Sequence, residues 1–292
     1  MAPFLDSSLK ETFDQNGFLV IDNFLTLDEV EQMKEEMANI VDQMDPSKHP
    51  KSIFTTYDKD RHISDSYFLE SVDKIRYFYE EGAFNDKGQL VIEKQRALNK
   101  VGHALHWLNP VFKKVTFSSR VCELVDILGF KDPVVPQSMY IFKQPKIGGV
   151  VTGHMDATYL IGEPSDRVVG LWFALDEATT ENGCLWFIPG SHKDTPVLRK
   201  FVRTHKTEGP QLKFIGDDEE RCDSKFVPAP AKQGSLVLIH GLVWHKSEAN
   251  CSDKPRHAYT FHVFDQGTAK WDPDGWLQPT PTYPFPKLNN QI

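Results

Sequence analysis

His154 and Asp156 stand two residues apart in GGVVTGHMDATYL, an apolar and β-branched stretch. Residues i and i+2 of a strand project to the same side, so an imidazole and a carboxylate would emerge together there. Buried polar groups need partners, and the ordinary solution is a hydrogen-bonded His–Asp pair. The alternative is two thirds of a 2-His-1-carboxylate site for non-haem iron, which requires a second histidine from elsewhere. Downstream, GSLVLIHGLVWHKSEANCSDKPRHAYTFHV offers two: His240, which closes an apolar run, and His245 just beyond it. A lone histidine is usually a satisfied core or surface residue. Arg256 gives this pair another context: beyond His245, with ten residues between, stands a permanent, planar cation suited to gripping a carboxylate through two parallel hydrogen bonds.

These side chains need a scaffold to bring them together. From about Val134 the sequence consists of short β-rich runs broken by Gly and Pro: PVVPQSMYIFKQP, GGVVTGHMDATYL, RVVGLWFALDEA, GCLWFIPGSH, SKFVPAPA, GSLVLIHGLVWHKSE and RHAYTFHVF. Many short strands at such spacing point to an all-β sandwich or barrel, most naturally a jelly roll with helices outside it. Before them, NGFLVIDNFLTLDEVEQMKEEMANIVDQM predicts a short strand and then a helix. Thr26 and Glu29 form its capping box, and Val30, Met33, Met37, Ile40, Val41 and Met44 recur at helical spacing. Residues 93–130 give a second helical region, ended by Gly129 and Pro133. Residues 45–65 are polar and without a period, which suggests a surface loop and a candidate substrate lid. KDTPVLRKFVRTHK, with Lys193, Arg199, Lys200, Arg203 and Lys206, suggests a solvated surface loop, or a patch that steers an anionic substrate. The Pro-rich GWLQPTPTYPFPKL suggests an extended arm lying on the domain.

Composition narrows the classes. The chain has 292 residues, 40% of them hydrophobic, enough for one large domain. A net charge of −8 and no basic stripe argue against a nucleic-acid binder. No apolar run reaches the roughly 18 residues of a membrane span. Neither a secretory signal nor a C-terminal peroxisomal address is evident. Cys122, Cys184, Cys222 and Cys251 are scattered with no C-x-x-C pair, so they suggest free thiols in a reducing, cytoplasmic setting rather than a zinc site or disulfide framework.

The ordered set NKVGHALH, QSMYIFKQP, HMDAT, GLWFALDEAT, ENGCLWFIPGSH, GSLVLIHG, HKSE and WLQPTP, with H-x-D followed by a distant H-x10-R, resembles the phytanoyl-CoA dioxygenase family of Fe(II)/2-oxoglutarate oxygenases. The resemblance runs from QNGFLV to the PFP near the end. It implies a mainly β fold, a double-stranded β-helix (jelly roll, cupin-like) with flanking N-terminal helices. As a single domain, residues 1–130 would be a mainly helical elaboration, 131–268 the jelly-roll core and 269–292 the arm. It further implies Fe(II) held by His154, Asp156 and His245, with 2-oxoglutarate and O2 as co-substrates. Arg256 and Ser247 would take the C5 carboxylate of 2-oxoglutarate, and Lys100, Met139 and Trp172 would line its pocket. The ten-residue gap to the arginine favours His245, leaving His240 as a decoy.

The activity so implied is decarboxylation of 2-oxoglutarate to succinate and CO2 with hydroxylation of a small or lipid-like substrate. Two other functions remain open: 2-oxoglutarate turnover uncoupled from acyl-CoA hydroxylation, and a non-catalytic jelly-roll metabolite sensor. A complete triad together with Arg256 favours catalysis. Substrate and oligomeric state are unreadable from these residues.

Overall fold

A computed structural model describes residues 7–54, 66–193, 196–206, 208–217 and 221–288. Its strands, in chain order, are β1 (Phe18–Ile21), β2 (Ile75–Tyr79), β3 (Leu98–His103), β4 (Pro133–Val134), β5 (Ser138–Ile141), β6 (Val151–His154), β7 (Gly162–Glu163) and β8 (Val168–Ala174). After them come β9 (Leu185–Phe187), β10 (Arg199–Arg203), β11 (Leu212–Gly216), β12 (Val227–Ala229), β13 (Leu236–His240), β14 (His245–Ser247), β15 (Ala258–Asp265) and β16 (Lys270–Trp271). An eight-stranded sheet runs β1-β13-β8-β15-β5-β3-β2, with β4 also paired to β15, and a four-stranded sheet runs β12-β9-β14-β6. Every ladder in them is antiparallel. This is a jelly roll with N-terminal helices.

Alternation along the central strands shows how both faces are used. Leu171 and Phe173 of β8, Leu236 and Leu238 of β13, and Tyr259, Phe261 and Val263 of β15 pack in one core with Val30, Met33, Phe112 and Val121 of the helices. Their alternate neighbours, Trp172, Ala174, Val237, Ile239 and Ala258, pack instead against Leu185, Phe187 and Ala229 of the smaller sheet. Strands β8 and β15 are therefore buried along their whole lengths, which explains the unbroken apolar texture of β8. The Leu27–Gln43 helix begins with the Thr26–Glu29 capping box and buries Val30, Met33, Met37 and Val41.

Three sequence expectations need correction. Residues before 131 are more than a helical elaboration: β1, β2 and β3 are members of the main sheet. Strand β3 lies inside the region expected to be helical, since Val101 and its neighbours pair with β5 across a buried seam. The basic stretch after Lys193 is no plain loop either, because Arg199–Arg203 pairs with β11 as a hairpin. There Phe201 stacks obliquely on Phe214, while Arg203 Nε donates to the Trp276 carbonyl. The lid expected at 45–65 falls largely on residues 55–65, outside the described residues.

The Pro-rich arm lies on the domain, as expected. Tyr283 Oη is 2.8 Å from His106 Nε2, Val135 N donates to the Pro286 carbonyl, and Trp276 stacks on Phe68 at 4.6 Å between centroids. No helix among the described residues is long and apolar enough to cross a membrane.

Candidate metal centre and co-substrate pocket

His154 is the last residue of β6, and His245 is the first of β14, directly opposite it in the antiparallel register. That pairing brings the two rings to 4.2 Å between centroids. Asp156 does not continue the strand, as expected from the i, i+2 pattern; it opens a 3-10 turn, Asp156–Thr158. The turn still delivers its carboxylate to the same place, with Oδ1 3.8 Å from His154 Nε2 and 3.6 Å from His245 Nε2. Ligand atoms of the three residues lie within 4.8 Å of one another.

Local hydrogen bonds set the tautomers. His154 Nδ1 lies 2.8 Å from the Thr152 carbonyl and His245 Nδ1 lies 3.0 Å from the Val243 carbonyl, so each Nδ1 carries the hydrogen and each Nε2 lone pair faces the cluster. Burial pushes the His154 imidazole down to about 4, keeping it neutral. Burial would raise the Asp156 carboxyl, but His262 and His245, with His154 behind them, hold it well below the usual carboxylate range. Two imidazoles with Nε2 toward the cluster and one ionised carboxylate are a donor set suited to ferrous iron. The residues present thus fit that ion. His240 stands apart: its ring contacts Phe13 and His192, and its Nδ1 accepts from the Leu242 N–H.

One cavity of about 200 Å³ is lined by all eight residues singled out from the sequence: the triad with Arg256, Ser247, Lys100, Met139 and Trp172. Arg256, just ahead of β15, is 2% exposed, and its guanidinium lies 5.0 Å from the Trp172 ring centre. Its Nε and Nη1 have no hydrogen-bond partner although both are buried. Burial pulls this group down to about 10, still cationic at neutral pH. Buried cationic donors without partners are costly, and a carboxylate in the cavity would be a fitting acceptor for this guanidinium. Ser247 Oγ donates to the Gly183 carbonyl, which leaves its lone pairs as acceptors. Lys100 is enclosed by Phe54, Phe68 and Phe78, with Nζ 3.3 Å from the Phe54 ring centre and 3.7 Å from Met139 Sδ; burial holds its ammonium well below the usual lysine range.

Several cavity residues were not singled out from the sequence. Glu80 and Lys143 flank Arg256; burial raises the Glu80 carboxyl and pulls the Lys143 ammonium down to about 7. His262 and Gln137 line the wall beside Asp156. Alternation along β15 from Ala258 through Thr260 would have pointed His262 inward. At the other end Phe68, Tyr159, Phe201, Phe214 and Trp276 form an aromatic lining that no local pattern announces. His106, by contrast, faces Ser138 and Tyr283 rather than the cavity.

Comparison with known proteins agrees with this geometry. Residues 13–258 match the family model described as phytanoyl-CoA dioxygenase. The phytanoyl-CoA dioxygenase domain-containing protein 1 homolog of Caenorhabditis briggsae is 54% identical over 98% of this chain and 100% of its own. The bovine (Bos taurus) phytanoyl-CoA dioxygenase domain-containing protein 1 is 49% identical over 97% of this chain and 98% of its own. Among solved structures, the epimerase SnoN in complex with Fe3+, alpha ketoglutarate and nogalamycin RO superposes with a TM-score of 0.62 at 18% identity, over 94% of this chain and 89% of that one. EctD from S. alaskensis with 2-oxoglutarate and 5-hydroxyectoine gives 0.62 at 17%, over 97% and 84%. At such identities the structures establish a shared fold.

Proposed function

The chain belongs to the phytanoyl-CoA dioxygenase family and is a 2-oxoglutarate-dependent non-haem iron dioxygenase, and from that premise we propose that it couples 2-oxoglutarate decarboxylation to hydroxylation of a small, largely apolar substrate. The observation that carries this reading is the buried guanidinium of Arg256, its Nε and Nη1 without partners, in the wall of the cavity that holds the His154–Asp156–His245 donors.

His154, Asp156 and His245 would hold the iron, each through one ligand atom. Bound ferrous iron supplies activation of O2, the cleavage of the keto acid to succinate and CO2, and transfer of one oxygen atom to a C–H bond. Arg256 holds the C5 carboxylate through its guanidinium, and Ser247, whose hydrogen goes to the Gly183 carbonyl here, joins that end by turning its hydroxyl toward the carboxylate. The Trp172 face supports the guanidinium through a cation–π contact. Lys100 and Met139 close the side of the keto acid. Tyr159, Phe201, Phe214 and Trp276 exclude water and receive the apolar part of the substrate. The same proposal takes residues 1–292 as one oxygenase domain acting in the cytoplasm, where reducing conditions keep iron ferrous and the four cysteines free.

Anaerobic titration of the apo-protein with Fe(II) and 2-oxoglutarate, followed by air and a succinate assay, tests it. The expected result is a metal-to-ligand charge-transfer band and then succinate. Absence of both makes the protein a non-catalytic binder.

A further inference from the structure

Asp156 turns its two oxygens toward different neighbours. Oδ1 faces the ligand imidazoles of His154 and His245, whereas Oδ2 is buried without an aligned hydrogen bond and has His262 Nε2 beside it at 3.2 Å. His262 is buried, and its other nitrogen, Nδ1, lies 3.4 Å from Gln137 Nε2. An amide N–H directed at Nδ1 places the ring hydrogen on Nε2, the atom that faces the carboxylate. The backbone makes room for this arrangement. His262 on β15 stands directly opposite Gly170 on β8. A Cβ at Gly170 would lie 3.2 Å from Asp156 Oδ2 and 3.4 Å from His262 Nε2, so a side chain there would crowd both partners. Thr260, two residues before His262 and on the same side of β15, also lines the cavity.

From these contacts we infer that His262 is a positioning residue for the metal centre: a small turn of its ring aims Nε2–H at the otherwise unpartnered Asp156 Oδ2, so that Asp156 would offer the metal Oδ1 alone. The inference rests on the reading of His154, Asp156 and His245 as metal ligands. A carboxylate free to swing would present both oxygens and fill a fourth position on a six-coordinate ion. With one oxygen retained, three positions stay open, the number needed by a chelating keto acid and O2 together. Gln137 fixes the tautomer of His262, and Gly170 supplies the clearance.

Mn(II) added to the apo-protein gives a readout that needs no turnover, because water-proton relaxation counts exchangeable waters on the bound ion. Wild-type protein should show three waters. His262→Ala should show two, with Mn(II) affinity weakened about tenfold to a hundredfold, the range found when a hydrogen-bond partner of a metal ligand is lost. His262→Gln, whose amide can still donate to Oδ2, should restore the third water. Gly170→Ala should reproduce the His262→Ala count, which separates positioning from the mere presence of an imidazole. Circular dichroism of each variant confirms the fold. If His262→Ala retains three waters and wild-type affinity, the positioning role is overturned while the metal site stands. If wild-type protein itself holds no Mn(II) that Asp156→Ala abolishes, the ligand assignment falls instead.

Discussion

The two ends of the cavity are built from different material. At the polar end, Lys100, Met139, Trp172, His245 and Ser247 sit on strands of the two sheets, and His154 closes one. Their positions follow from hydrogen-bonded register, as the His245–His154 and Thr260–Trp172 pairings show. At the aromatic end, Phe68 comes from a one-turn helix, Tyr159 from the cap of a 3-10 turn, Phe201 and Phe214 from an outlying hairpin, and Trp276 from the arm. These side chains hold one another by ring contacts: Phe68 on Trp276, Tyr159 against Phe201, Phe201 against Phe214. Backbone ladders tolerate little shift, whereas ring packing can be remodelled one side chain at a time. The chemistry is thus tied to the sheet and the substrate's shape to outlying pieces, and the two meet where Phe68 faces Lys100 and Tyr159 sets its ring against His154.

Four substitutions test that division. The largest effect belongs to Asp156→Ala, which should lower iron-dependent succinate formation by about a thousandfold, since metal activation is worth several kcal/mol; turnover at the wild-type rate would remove Asp156 from the triad. Arg256→Ala comes next. Loss of a charge-assisted anchor of about 1.5–3 kcal/mol should raise the KM for 2-oxoglutarate roughly tenfold to a hundredfold, with a smaller change in kcat. An unchanged KM would place the keto acid elsewhere.

The third concerns the joint between the arm and the main sheet. His106, fully buried between Ser138 and Tyr283, is pushed by burial down to about 3, so it is neutral in the fold and protonates near 6.5 when unfolded. Between those values the unfolded chain binds the extra proton. Its contribution to stability is therefore full above pH 6.5 and declines as pH falls, by up to about 1.4 kcal/mol per pH unit. Urea unfolding at pH 7 and pH 5.5 should show a shallower loss for His106→Asn than for wild-type protein; identical slopes would place an unpressured histidine at this joint. Smallest is Phe214→Leu, which keeps an apolar side chain of reduced area at the aromatic end. Calorimetric affinity for 2-oxoglutarate should stay within about twofold, because cavity-wall changes act where they make contact. A larger shift would mean that the two ends are coupled.

The same division governed what the sequence could reveal. Strands β8 and β13 were legible because burial on both faces leaves a nearly continuous apolar run, β15 because aromatic and β-branched residues dominate it, and the Leu27–Gln43 helix because Thr26 and Glu29 mark its start. His154, Asp156, His245 and Arg256 carried a signal in their types and order. Strand β3 did not: its LNKVGH includes Lys100, whose charge is absorbed by a cage drawn from Phe54, Phe68 and Phe78. Tertiary contacts of that kind leave no local period. The β10–β11 hairpin was obscured by Arg199, Lys200 and Lys213, which hide the inward turn of Phe201 and Phe214. His262 was within reach, for alternation along HAYTFHVF already aims it inward.

The stacking of Phe68 on Trp276 joins segments that lie far apart along the chain. Contacts of such long sequence separation are reached late, because the chain entropy of closing so large a loop is lost before the contact contributes anything. The Phe68–Trp276 stack spans more of the chain than the His154–His245 pairing does, so a refolding molecule should close that stack after it has assembled its iron site, and selectivity would be the last property to mature.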